Sequence, residues 1–173
     1  ATSCGPGTGK TWLALEQASR WARQKKRVLL VCYSQGLSRW LRQAIDARGE
    51  RVSRLVDVTT FSSYLVGKGV DVPAGAGQQW WDVELPKLAA PFVTADYDAV
   101  VVDESQDFAD GWWPVLLASL RGEHVFITGD ERQSVFADRR GRPAMSLFEL
   151  KLDENLRNTS QIVSLLNPLV PDK

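Results

Sequence analysis

Near its start the chain reads "CGPGTGKT" (Cys4–Thr11). Glycines at 5, 7 and 9 permit a tight turn whose backbone N–H groups point inward, the arrangement that cradles phosphate oxygens. Lys10 would neutralise the β and γ oxygens of a nucleoside triphosphate, and the Thr11 hydroxyl would ligate Mg²⁺. The spacing matches G-x-x-x-x-G-K-[ST] at every position but the first, where Cys4 stands. The candidate phosphate-binding residues are thus Gly5, Pro6, Gly7, Thr8, Gly9, Lys10 and Thr11.

Two further clusters carry chemistry. In "VVVDESQD" (Val100–Asp107) the apolar run ends on Asp103-Glu104. Asp103 is placed to hold Mg²⁺ through its waters. Glu104 is placed to polarise the water that attacks a γ-phosphate, and it counts with Thr11 and Asp103 among the candidate metal residues. In "FITGDERQSVF" (Phe126–Phe136), Gln133 stands three residues past Asp130, within reach of a γ-phosphate or its attacking water.

These groups need a scaffold that brings them to one edge. "KRVLLVCY" (Lys26–Tyr33), "LVDVTT" (Leu55–Thr60), "YDAVVVDE" (Tyr97–Glu104), "HVFITGD" (His124–Asp130) and "LFELKLDEN" (Leu147–Asn155) read as strands. Helices are predicted over Lys10–Gln24, Leu37–Arg48, Phe61–Leu65, Gln79–Ala90, Gly111–Arg121 and Asn158–Asn167. The inner stripes are expected at Leu13, Ala14, Ala18 and Trp21, and at Trp40, Leu41 and Ile45. Pro86 puts the continuity of the fourth helix in question. Residues 67–78, rich in glycine, read as a loop, and Lys25-Lys26-Arg27 as charge serving a helix C-terminus. Alternating strands and helices predict an α/β fold, a mostly parallel sheet covered on both faces, with ligands beyond the carboxyl ends of the strands.

Composition removes several other classes. The 173 residues suit one domain, Lys plus Arg equals Asp plus Glu at 21 each, and any surface for a polyanion must therefore be local. No apolar run is long enough to cross a membrane. Two cysteines, Cys4 and Cys32, make no disulfide framework, and with His124 they are too few for a zinc site; a cytoplasmic location is expected. The seven tryptophans could stack on bases, though their area favours packing.

In this order the phosphate loop, "DESQD", "GDERQSVF" and "LDENLRNTSQI" (Leu152–Ile162) resemble superfamily 1 helicases of the UvrD/Rep type and, more closely, the UvrD-like helicases often joined to nuclease-related domains. The resemblance spans essentially the whole chain. It implies a P-loop NTPase fold, a RecA-like three-layer sandwich, acting as the ATP-binding domain of an ATP-dependent DNA helicase with ATP and Mg²⁺ as cofactors. Gln133 and Arg157 would then couple the γ-phosphate to domain closure. "VLLVCYSQGLSRWL" and "TTFSSYL" are similar to two segments that touch single-stranded nucleic acid in that family, which implicates Tyr33, Ser34, Gln35, Arg39, Thr60, Phe61, Ser62 and Tyr64.

The chain departs from the family pattern at Cys4, at Gln35 where Asn is usual, at Ser62 where His is usual, and at Ser105 within "DESQD", where Ala or Gly is commoner. Read from the residues alone, Arg39, Arg42, Arg48, Arg51 and Arg54 with Tyr33, Phe61 and Tyr64 are equally a strand-binding face or a solvated helix face with packing aromatics. Residues 1–173 are expected to be one RecA-like domain with a short insertion-like region at 66–95. A second RecA-like domain and an adenine-reading segment would lie in a longer parent. Single-stranded DNA is the expected partner, RNA stays open, and no membrane is involved. The alternatives are a nucleotide-gated switch that grips nucleic acid or protein without unwinding, and a P-loop kinase.

Overall fold

The computed structural model describes residues 2–3, 9–130, 143 and 150–151. The strands are β1 (Thr2–Ser3), β2 (Val28–Cys32), β3 (Val56–Thr60), β4 (Tyr97–Val102), β5 (Leu120–Gly129) and β6 (Leu150–Lys151). The helices are α1 (Lys10–Arg23), α2 (Gln35–Asp46), α3 (Glu50–Ser53), α4 (Phe61–Val66), α5 (Leu85–Ala89) and α6 (Trp112–Ala118). The strands form one sheet in the order β3-β2-β4-β5-β1-β6, and every described pairing is parallel. All strands therefore end on the same edge.

Residue alternation along the strands builds two cores. Val28, Leu30 and Cys32 of β2, with Ala99 and Val101 of β4, face α1, α2 and α3 through Ala14, Leu15, Ala18, Leu41, Ile45 and Val52. Leu29, Val31, Val100 and Val102 face α4, α5 and α6 through Phe61, Leu65, Leu85, Ala89, Trp112 and Leu116. The period of two splits one apolar run between two layers, so the strands are apolar throughout. Cys32 is buried within this packing, which pushes its thiol up to about 12 and keeps it protonated.

The inner stripes differ from expectation. Leu15 and Ala22 join Ala14 and Ala18 in the core, whereas Leu13 is exposed and Trp21 is only partly buried. Trp40 and Trp12 are also exposed, their rings edge to face at 6.2 Å. Parallel crossovers bring α1 and α2 side by side, and their rims take each other's aromatics. Trp112 and Trp113 are buried, and Trp80, Trp81 and Trp21 pack on the cores.

The helical stretch before β4 survives Pro86. A π-helical turn at Trp80–Glu84 hands over to α5, where the proline occupies the first turn and its missing N–H has no partner to lose. Leu85 and Ala89 fill the core beneath α6. Helix α6 is shorter than expected and β5 longer, because the chain turns at Ser119 and pairs with β4 from Leu120 onward. Lys25 lies at positive φ, and the N–H groups of Lys25 and Lys26 close the end of α1 on Ala22 and Trp21.

Of the earlier expectations, Cys4, Gly5, Pro6, Gly7, Thr8, Gln133, Arg157 and the helix at 158–167 lie outside the described residues. The last expected strand is described only at Leu150–Lys151. Among the described residues no helix is long and apolar enough to cross a membrane.

Candidate functional site

The carboxyl ends of β4 and β5 and the first turn of α1 meet at one place. Gly9 caps α1 in the left-handed region, which favours glycine, and leads directly into Lys10 and Thr11. Both side chains are buried, unusual for a lysine on a first helical turn. Lys10 Nζ lies 3.4 Å from Asp130 Oδ2, and both groups are shielded from solvent. Asp130 follows the last residue of β5, so the ion pair ties the start of α1 to the sheet edge.

Asp103 follows the last residue of β4 and is 1% exposed. Its N–H continues the ladder to the Val31 carbonyl. Thr128 donates its hydroxyl to Asp103 Oδ1 at 2.6 Å, and the Glu104 N–H donates to the same oxygen at 3.1 Å. The Thr11 hydroxyl lies beside this carboxylate and favours its charged form. Oδ2 is buried and makes no hydrogen bond of regular geometry among the described residues. Burial pushes the Asp103 carboxyl upward, Glu104 adds to that, and the Thr128 and Thr11 hydroxyls oppose it.

A buried carboxylate oxygen with no hydrogen bond of regular geometry among the described residues, with the Thr11 hydroxyl beside the carboxylate and Lys10 on the same edge, is an arrangement a divalent cation satisfies. The hard oxygens of Thr11 and Asp103 suit Mg²⁺, which keeps most of its waters. The donor set therefore fits the cofactor expected from the sequence. Among the described residues no group of three or more His, Cys, Asp or Glu forms a metal site of the kind that needs no phosphate partner.

Glu104 is half-buried and sits at φ 56, a left-handed conformation that glutamate rarely adopts. Gln106 Nε2 donates to Glu104 Oε2 at 2.5 Å, and the Asp130 N–H donates to Gln106 Oε1 at 2.9 Å. Gly129 permits this approach: a Cβ there would collide with Ser105 Oγ and sit 3.2 Å from Gln106 Oε1. Thr128, Gln106 and the pairing of Asp130 with Lys10 were not expected from sequence. Thr128 looked like an ordinary strand residue, while Gln106 and Asp130 stood inside quoted motifs without a role.

The segments implicated in nucleic-acid contact look different. Phe61 is 1% exposed and stacked on Trp112 at 4.4 Å, so it presents no face for a base, a correction to that expectation. Tyr64 is buried as well, because α4 must cover β2 and β4 with its aromatic side. Tyr33 is half-buried and lies parallel to Trp112 at 6.1 Å, which occupies one of its faces. Ser34 caps α2 by accepting from the Leu37 N–H, and buried Thr60 caps α4 by accepting from the Ser63 N–H.

Gln35 Nε2 donates to Ser63 Oγ at 2.7 Å and to Thr60 Oγ1 at 3.3 Å. Ser62 is half-buried and Arg39 exposed. Of the other arginines, Arg42 binds Asp46, Ser53 and the Val56 carbonyl, Arg48 binds Glu16, and Arg54 binds Glu50. Much of the basic cluster is thus engaged within the chain.

No curated protein gives a significant match to the chain. A family model described as an AAA domain matches residues 1–139. The chain belongs to that AAA-domain family, a P-loop family associated with UvrD/Rep-like helicases, and its α/β sheet is the P-loop RecA-like fold.

Proposed function

We propose that this chain is the ATP-binding motor domain of an ATP-dependent DNA helicase or translocase, which hydrolyses ATP to move along single-stranded DNA in the intact protein. The observation that carries the reading is the buried Asp103 carboxylate, with one oxygen unpartnered among the described residues, beside Thr11 and within the same edge as Lys10. Such a site has little use without a phosphate–metal ligand to complete it.

Thr11 and Asp103 would hold Mg²⁺, which when bound neutralises phosphate charge and orients the γ-phosphate. Lys10 would exchange its bond to Asp130 for phosphate oxygens, a charge-for-charge replacement that keeps it paired. Thr128 holds the Asp103 carboxylate in place. Glu104 would accept a proton from the attacking water. Gln133 and Arg157 are proposed, by the resemblance alone, to signal the γ-phosphate to a second RecA-like domain.

A second reading, a nucleotide-gated switch without translocation, is favoured by the burial of Phe61 and Tyr64 and by the internal pairing of Arg42, Arg48 and Arg54. Phosphate release measured with and without single-stranded DNA separates the two. In the longer parent the motor reading expects free phosphate, stimulation by DNA and loss of both in Lys10→Ala, with little turnover by the 173-residue chain alone. Hydrolysis indifferent to DNA supports the switch, and a phosphorylated acceptor in place of free phosphate supports a kinase.

A further inference from the structure

The feature that the chemistry above leaves unused is Gln106. It is buried, and its amide spans two elements of the site. The Asp130 N–H can only donate, so the oxygen of the Gln106 amide must face it and the NH₂ must face Glu104. The orientation of the amide is therefore set by the backbone of β5. The short 3₁₀ turn Ser105–Asp107 closes on the Glu104 carbonyl and brings Gln106 back over its own neighbour.

We propose that Gln106 is a positioning residue for hydrolysis, a clasp that holds the Glu104 carboxylate against the end of β5. The inference rests on the hydrolytic reading of the site. Three observations converge on it. Glu104 is kept at a positive φ, a conformation its own preferences do not supply. Gly129 has no room for a Cβ, so β5 is built to let Ser105 and Gln106 approach its backbone. Asp130, whose N–H anchors the clasp, is the residue that pairs with Lys10.

The chain Lys10–Asp130–Gln106–Glu104 thus links the phosphate-binding lysine to the base. The bond occupies Oε2 of Glu104 and leaves Oε1 outside the clasp. The held carboxylate has one oxygen fixed and one to receive a proton.

Gln106→Ala removes both halves of the clasp. Gln106→Glu keeps the size and the acceptor for the Asp130 N–H but, ionised, has no donor for Glu104. Hydrogen exchange at the Asp130 amide, binding of a fluorescent ATP analogue with Mg²⁺, and single-turnover hydrolysis with protein in excess are compared for the 173-residue chain, these variants and Lys10→Ala. Both Gln106 variants should bind nucleotide within about twofold of wild type and hydrolyse it on the order of 10- to 100-fold more slowly. Asp130 should lose protection in Gln106→Ala and keep it in Gln106→Glu.

Wild-type hydrolysis in Gln106→Glu would overturn the proposal, because Gln106 would then serve only the Asp130 backbone. Binding that falls as far as the rate would overturn it too, as would a wild-type chain that binds ATP and never hydrolyses it. If wild type and Lys10→Ala bind the nucleotide alike, the hydrolytic reading itself fails and takes the clasp with it. Binding that depends on Lys10, with normal hydrolysis in both Gln106 variants, removes the clasp alone.

Discussion

Two regions on the same edge of the sheet use similar residues to opposite ends. Where β4 and β5 finish, Asp103, Thr128, Gln106 and Asp130 are buried, and one oxygen of Asp103 is left without a partner among the described residues. Where β2 and β3 finish, Ser34 and Thr60 cap helices, Gln35 spans Thr60 and Ser63, and Phe61 and Tyr64 lie in the core. A buried polar group left incomplete is costly and persists where a ligand completes it. A mutually satisfied set at a helix start already has a structural job. The comparison assigns the proposed chemistry to the first region, and in the second it leaves Arg39 exposed while the rings of Phe61 and Tyr64 are buried.

The contrast can be broken most sharply by touching Glu104 and Phe61 in turn. Glu104→Gln should lower single-turnover hydrolysis by roughly 10²- to 10⁴-fold while nucleotide binding persists. Phe61→Ala should destabilise the fold by about 3–5 kcal/mol in denaturant titration, because the ring is enclosed by Trp112 and Phe108. A Phe61→Ala chain of full stability that had lost DNA binding would reverse the comparison.

A smaller effect concerns Asp103. Its folded-state pKa is raised, chiefly by burial, so the native chain binds this proton more readily than the unfolded chain. The charge therefore destabilises the fold at neutral pH, and the penalty is relieved as pH falls through the folded-state pKa. Without Mg²⁺, Asp103→Asn should melt above wild type at pH 7, with the difference closing in acid. Glu16, Asp46 and Asp96 have lowered pKa values and contribute in the opposite sense, losing their stabilisation as pH falls. The difference between the two proteins, followed by thermal melts across pH, is thus the quantity to read. Smallest of all, Gln35→Ala should change affinity for single-stranded DNA by less than about threefold, since its amide is turned toward Thr60 and Ser63.

The fold was largely legible because strands buried on both faces announce themselves as unbroken apolar runs, as at Val28–Cys32 and Tyr97–Val102. The exposure of Trp40 was not legible: helical periodicity marks a face but not which rim of it a neighbouring helix covers. The π-helical turn before Pro86 escaped for a similar reason, since the proline signals a break and not its repair. Within the site, Lys10, Thr11 and Asp103 have fixed spacing from an element end and could be named. Thr128 and Gln106 act across strands, through a register that only the assembled sheet defines.

The central claim is that Lys10, Thr11 and Asp103 form one Mg²⁺–nucleotide site. Calorimetric titration of ATP into the 173-residue chain, with Mg²⁺ and with a chelator, tests it most directly, with Lys10→Ala as the comparison. The account predicts saturable binding at a single site, weakened on the order of tenfold or more by the chelator and on the order of 100-fold by Lys10→Ala. Binding of equal strength with and without Mg²⁺, or undiminished in Lys10→Ala, would contradict it.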